Sequence, residues 1–372
     1  MIYPIIDSIG AEKCLLIKNG PSTGKIFEDI YEIDYEDALK TPSIIWIKEY
    51  LLNFLRWNNH IKNVCKELGL PNDVFINITT RLTVSTQYIS GWIYLLLKNK
   101  PSIVITESDR NSKWSTVILA AKCLGIPTVT LVHGVINENA LGYSPVVADD
   151  VLCWGNLQRD KLIEEGVNKN NIRVVGCPRL KNKSCLTSDE AKSKIGVPVE
   201  LNAIMLATSP VSDEESDKIV TTFCEAVEME KNWFCFVKLH PSEHRARYKH
   251  LIDKYQNVHF FEDGEVPIDY AIAASDVVVV KDSGVGGDAI ISRKPVIVLS
   301  PNGKPAGYGM ELVEKAGCPL AKNERELKYE ITRCLANKDK PNFITQKYVE
   351  DFCIAFGEDS AKRISQYILE KM

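Results

Sequence analysis

Two rhythms of apolar residues alternate along this chain. Short apolar runs bounded by glycine, proline or polar turns read as buried strands. They are SIVIT (Ser102–Thr106), PTVTLV (Pro127–Val132), DDVLCW (Asp149–Trp154) and IRVVG (Ile172–Gly176). NAIMLAT (Asn202–Thr208), WFCFVKLH (Trp233–His240), VHFFE, VVVV and PVIVLS follow. Between them, Lys113–Gly125, residues 156–166 and Glu214–Met229 carry apolar positions at helical spacing. Strand, helix, strand at this spacing predicts parallel pairing through right-handed crossovers. The rhythm lapses over Lys181–Glu200, a polar stretch with room for one short helix, and then resumes. The expected fold class is α/β, with two Rossmann-like doubly wound domains facing across a cleft. The expected boundaries are 1–180 for the first domain, 181–200 for a linker region and 201–348 for the second domain. Residues 349–372 are expected to form a helix that returns to the first domain.

The start departs from the pattern. A first domain of this kind opens on a long apolar strand and a glycine-bearing turn. Here MIYPIIDSIGAEKCLLIKN gives a helix or short strand, then a strand at Lys13–Lys18. The opening unit is abbreviated or absent, which points to a chain shortened at its N terminus. Over Ile47–Leu97 the apolar residues recur at helical spacing, which predicts a helical flank on the first sheet.

Bulk properties narrow the partners. A chain of 372 residues suits two domains, and its net charge of −4 argues against a nucleic-acid partner. The eleven cysteines include no CxxC pair and no Cys/His cluster at zinc spacing, so no metal site is expected. Cys14, Cys123, Cys153 and Cys235 lie in apolar stretches and read as small core residues in a reducing compartment. The longest apolar runs, such as ISGWIYLLL, are too short to span a bilayer. The expected location is cytoplasmic, or peripheral at the inner face of the membrane.

Candidate chemistry gathers where strands end, because ligands of open parallel sheets sit beyond their carboxyl ends. VVVVKDSGVGGDAIISRKPVIVLS puts Ser283, Gly284, Gly286 and Gly287 between a buried strand and a helix. Glycines let a ligand approach the backbone, and a helix start offers N–H groups to an anion. The glycines alone are equally compatible with a tight turn that holds nothing. VKLHPSEH adds Lys238, His240 and Pro241 at a neighbouring strand end, with the imidazole on a stiff turn within reach of phosphate. In the first domain, TESD and LVHG bring Glu107 and His133 to the matching edge. Glu107 is the first candidate for a general base and His133 the reserve. Asp109, with Arg110, reads as a surface ion pair or a helix cap.

Taken in order, GIPTVTLVHG, ADDVLCWG, IRVVGCPR, VKLHP, SDVVVVKDSGVGGDAIISRKPVIVL and FGEDSAKRISQYI resemble the GT-B superfamily. Within it the chain is similar to the bacterial surface-polysaccharide transferases with a His-Pro motif. Those are the Kdo transferases, the polysialyltransferases and the CDP-glycerol glycerophosphotransferases. The resemblance covers roughly Pro101–Met372. It implies an inverting, metal-independent glycosyltransferase with no tightly bound cofactor. Its nucleotide-sugar donor would sit in the second domain, with a CMP-sugar favoured over CDP or UDP. Its acceptor would be a glycan or lipid-linked glycan. The polysialyltransferases carry an acidic-acidic-glycine motif in the first domain, whereas Glu262-Asp263-Gly264 lies in the second, so no base role passes to it. The alternatives are a UDP-N-acetylglucosamine 2-epimerase and a non-catalytic nucleotide-sugar-binding subunit. The epimerases resemble this chain at the glycine turn and at GCPR. They follow the first strand of the second domain with a His-Arg-x-Glu-Asn segment, where this chain has LATSPVSDEES.

Overall fold

The computed structural model describes residues 3–18, 31–34, 48, 58–109, 112–136, 143, 146–180, 187–303, 305, 307–337 and 343–372. Helix α1 (Tyr3–Ile9) precedes β1 (Leu15–Lys18), which pairs in parallel with β2 (Tyr31–Asp34) as a separate two-stranded sheet. Residues 58–67 are helical, and α2 (Asn72–Asn99) follows. From residue 58 onward this is the helical flank expected from the apolar spacing; residues 47 and 49–57 of that stretch lie outside the described residues.

The first main sheet is fully parallel, in the order β3 (Val104–Thr106), β4 (Thr128–Leu131), β5 (Asp150–Cys153) and β6 (Ile172–Val174). Side chains alternate across it with the period of two that a strand dictates. Val129, Leu131 and Leu152 face Ile5 of α1 and Ile364 and Ile368 near the C terminus. Val151, Cys153 and Ile172 face Leu162 of α4 (Asn156–Glu164), and α3 (Ser112–Cys123) packs against α2. Both faces are covered, which is why these strands read as continuous apolar runs.

Past residue 186, Thr187 caps α5 (Ser188–Lys194) in a reciprocal box with Glu190. Lys192 of α5 reaches Asp276 at 2.9 Å, so this helix packs onto the second sheet's layer rather than bridging two domains. The second sheet is also parallel. Its strands are β7 (Asn202–Ala207), β8 (Trp233–Lys238), β9 (Val258–Phe261), β10 (Val277–Val280), β11 (Val296–Leu299) and β12 (Leu320–Ala321), in the order β12-β11-β10-β7-β8-β9. Val277 and Val279 face one layer, formed by α6 (Asp213–Val227), α7 (Lys249–Lys254) and α11 (Glu324–Ala336). Val278 and Val280 face the other, formed by α8 (Ile268–Ala274), α9 (Val285–Ile291) and α10 (Gly307–Glu314). The order reverses between β7 and β10, so the chain enters helices of opposite layers from these two adjacent strands.

The expected single C-terminal helix is two. α12 (Phe343–Phe352) packs with the second domain's core, and α13 (Gly357–Lys371) lies on the first sheet. Between them the chain leaves the helix for residues 353–356. The N–H of Ile354 donates to Trp154 O at 3.1 Å, and that of Cys177 donates to Ala355 O at 2.9 Å. Gly155 and Gly176 make this crossing possible. A Cβ at Gly155 would stand 2.3 Å from Asp351 O, and one at Gly176 would stand 2.2 Å from Ala355 O.

Candidate active site

The reversal between β7 and β10 opens a crevice at their carboxyl ends, the usual ligand position in such sheets. Thr208 and Ser209 leave β7 on one side, and Lys281 to Gly284 leave β10 on the other. His240 follows β8, the next strand outward.

The His-Pro turn is built around a buried carboxylate. The N–H of Glu243 donates to His240 O at 2.8 Å, closing a β-turn with Pro241 at its second position, where proline's fixed φ is favoured. The Glu243 side chain is 7% exposed. It accepts from the Thr208 hydroxyl, from Tyr248 (2.6 Å), from Ser216 (3.1 Å) and from the His240 N–H (3.3 Å). Burial alone would raise its carboxyl, but these hydrogen bonds outweigh burial and hold it below its ordinary value. The His240 N–H also donates to Thr208 Oγ1 at 2.8 Å. Its ring Nδ1 accepts the Ser242 N–H at 3.2 Å and lies 2.7 Å from the Ser242 hydroxyl. With Nδ1 an acceptor, the neutral ring carries its proton on Nε2, as a donor suited to an anionic oxygen.

Three expected nucleotide contacts are spent elsewhere. Lys238 is buried, and its ammonium donates to Glu262 O at 2.7 Å. Burial lowers its pKa. Gly286 and Gly287 face the interior. A Cβ at Gly286 would stand 2.6 Å from Leu312, and one at Gly287 would stand 2.4 Å from the Tyr308 hydroxyl. These glycines let α9 approach α10 and α12; packing, not a ligand, requires them. Gly284 differs. A Cβ there would meet only Val135 Cγ2, at 4.0 Å, so the turn's outer face has room. Ser283 is 8% exposed, and its hydroxyl accepts the Val285 N–H at 3.4 Å, which closes the turn.

At the first sheet's edge, Glu107 and His133 follow β3 and β4, and both side chains are exposed. His133 Nδ1 lies 2.6 Å from the Glu107 carbonyl. A carbonyl only accepts, so Nδ1 carries the proton and Nε2 keeps its lone pair. The ring sits 5.3 Å from that of Tyr143. Histidines on the two edges therefore hold opposite tautomers, one presenting a proton acceptor and the other a donor. Asp109 is buried rather than on the surface. It is 2% exposed and accepts the N–H groups of Val147 (2.6 Å) and Ala148 (3.1 Å), while Arg110 lies outside the described residues.

The two edges face each other. Val135, after β4, packs against the second sheet's core, and a Cβ at Gly284 would stand 4.0 Å from its Cγ2. Arg179, after β6, pairs with Asp288 of α9 at 3.3 Å, with its guanidinium over the Trp154 ring at 5.6 Å. Lys161 of α4 pairs with Glu311 of α10, which also accepts from Tyr348 at 3.1 Å. Trp154 meets Phe352 edge to face at 5.8 Å.

Other features lie apart from this site. A surface hollow of about 400 Å³ is lined by Ser8 of α1 and by Lys362, Ser365 and Leu369 of α13. It sits beside α13, whose far end pairs with Asp150 at the amino end of β5, away from the carboxyl edges. Among the described residues, no group of three or more His, Cys, Asp or Glu is placed to hold a metal ion, and no helix is long and apolar enough to cross a membrane. Cys153 and Cys235 are buried as expected, whereas Cys123 is exposed.

Sequence reading missed Glu243 and Thr208. HPSE held the first in plain view, but a carboxylate three residues past a His-Pro pair reads as surface until its burial is known.

A family model described as UDP-N-acetylglucosamine 2-epimerase matches residues 58–348. No curated protein matches the sequence. Among solved structures, the UDP-GlcNAc 2-epimerase of Neisseria meningitidis, bound to UDP-GlcNAc, is 17% identical. The alignment covers 78% of this chain and 81% of that one, with a TM-score of 0.52. The UDP-GlcNAc 2-epimerase of Methanocaldococcus jannaschii is 17% identical over 84% and 90%, with a TM-score of 0.56. A glycosyltransferase from Rickettsia africae ESF-5 is 18% identical over 77% and 81%, with a TM-score of 0.53. These likenesses establish the fold: two Rossmann-like domains in the GT-B arrangement. The expected transfer of a sugar from a CMP donor by an inverting glycosyltransferase is corrected by the family match, which selects the alternative first ranked below it. Through residues 58–348, which span both main sheets and the turns at their facing edges, the chain belongs to the UDP-N-acetylglucosamine 2-epimerase family.

Proposed function

We propose that the chain binds a UDP-linked N-acetylhexosamine between the two carboxyl edges and inverts its configuration at C2. The family match over residues 58–348 carries this reading. The geometry supports it with a crevice at the strand-order reversal, a histidine donor on one edge and a histidine acceptor on the other. No glycan acceptor is required.

Inversion at C2 needs the C2 hydrogen to leave as a proton from one face while its bonding pair forms a C1–C2 double bond and the C1–O bond to UDP breaks; a proton then returns to the opposite face of C2 as UDP re-adds at C1. His133 Nε2, a lone pair set by the Glu107 carbonyl, is the candidate to take or return it, and the exposed Glu107 carboxylate beside it is the second. His240 Nε2–H and the Ser283–Gly284 turn suit the phosphates of the nucleotide. TSPVSDEES, after β7, has no histidine or arginine, so proton transfer in this chain rests on the first-domain edge.

The test is to incubate UDP-GlcNAc with the protein in D₂O and follow the sugar by proton NMR. Loss of the C2 proton signal and appearance of the manno isomer are expected. Saturable binding with neither exchange nor isomer would overturn epimerisation and leave a nucleotide-sugar-binding subunit. His133→Ala and Glu107→Gln identify the base, since removing it costs about 10²–10⁴-fold in rate.

A further inference from the structure

A nucleoside diphosphate brings two phosphoryl groups, and an anion of that charge needs a cation at the crevice. Among the described residues of the second domain's carboxyl edge, most cations are committed. Lys238 is held by the Glu262 carbonyl, just past the neighbouring strand β9. Arg245 pairs with Glu265, and Arg247 pairs with Asp213 at 3.0 Å over the Tyr248 ring. Lys218 donates to Asn302 at 2.6 Å.

Lys281 is placed differently. It is the first residue after β10, at the reversal itself and two residues before Ser283. Continuing the alternation of Val277 and Val279, it falls on the α6 side of the sheet, while Gly284 opens α9 on the other side. A group lying across the crevice would thus have Lys281 on one flank and the serine-glycine turn on the other. The Lys281 ammonium is ion-paired with Glu215 in the first turn of α6. The lysine side chain is 13% exposed and the glutamate 25%, so solvent reaches the pair and the carboxylate can be exchanged for another anion.

We propose that Lys281 is the diphosphate-binding cation and that Glu215 is the resting partner it leaves when a nucleoside diphosphate arrives. This rests on the UDP-sugar site proposed above. Glu215 orients the ammonium when no nucleotide is bound. It also opposes the incoming anion, so the two residues act on affinity in opposite directions. Their effect grows with the number of phosphates and is absent for the nucleoside.

Calorimetric titration of the whole chain with UDP, UMP and uridine tests this. Wild-type protein that binds none of the three would overturn the nucleotide reading itself. If it binds, Lys281→Gln should weaken UDP by about 10- to 100-fold, the range of a lost charge-assisted contact, with a smaller loss for UMP and none for uridine. Lys281→Arg should recover most of the loss. Glu215→Gln should bind UDP at least as tightly as wild type. An unchanged UDP-to-UMP ratio in Lys281→Gln would overturn the assignment. So would equal weakening of all three ligands by Lys281→Gln and Glu215→Gln, which marks the pair as a strut between β10 and α6.

Discussion

Alanine at Gly176 should cost the protein several kcal/mol, and alanine at Gly166 should not. Both glycines hold a left-handed backbone, with φ of 89° and 88° respectively. An L side chain there pays about 1–2 kcal/mol in local strain. At Gly166 nothing lies within 4 Å of the added Cβ, so that is the whole cost. At Gly176 the Cβ would stand 2.2 Å from Ala355 O, an atom of the backbone crossing between the domains. Ordinary contact requires that carbonyl to retreat by about 1 Å, and overpacking of this kind costs about 1–3 kcal/mol. The retreat also stretches the bond from the Cys177 N–H to Ala355 O, now 2.9 Å, worth about another 1 kcal/mol. The sum is about 3–6 kcal/mol against about 1–2 for Gly166→Ala. Urea unfolding of both variants, followed by tryptophan fluorescence, measures the difference. Equal midpoints would show that the crossing segment yields freely and is not clamped by the glycine.

Three further outcomes are expected. Gly284→Ala, at a φ of −56° with only Val135 nearby, should melt like wild type yet bind UDP at least several-fold more weakly, because a Cβ enters the space the phosphates would use. The Glu243 carboxyl has a folded pKa below its ordinary value of 4.5. Its contribution to stability is therefore present above about pH 4.5 and lost as pH falls through the lower folded value, so Glu243→Gln should flatten the acid limb of a melting-temperature profile, and an unaltered limb would refute the network's role. Asp109→Ala leaves the buried N–H groups of Val147 and Ala148 without their carboxylate and should destabilise by about 2–4 kcal/mol in urea melts, whereas a surface residue would cost under about 0.5.

The strands were the most legible part of the chain. VVVV could run unbroken because helices cover both faces of β10, and the same holds for β5 and β7. The C-terminal break was not legible. Residues 349–369 keep a helical apolar period on both sides of it, while the chain at 354 and 355 leaves the helix to bond partners some 180 to 200 residues earlier. At the site, His240 and Ser283 were placed correctly at strand ends by local pattern. Gly286 and Gly287 were misread because a glycine kept for a helix contact looks, in sequence, like one kept for a ligand. Glu243 depends on Thr208 and Ser216, more than 25 residues away, and no local pattern encodes that. The favoured CMP donor had no support in the turns themselves, which suit any phosphate.

The placement of α13 also bears on how the protein is made. One face of the first sheet, carrying Val129, Leu131, Leu152 and Val175, is covered by Ile364 and Ile368 of a helix that begins about 180 residues after β6. A ribosome adding 5–20 residues per second needs roughly ten to forty seconds to synthesise that interval. The second domain is translated entirely within it and holds its own β7–β12 sheet. The nascent first domain meanwhile presents an aliphatic surface covered only in part, by Ile5 of α1, and the order of completion is inverted: the half synthesised later closes first, and the half synthesised earlier waits for the rest of its cover.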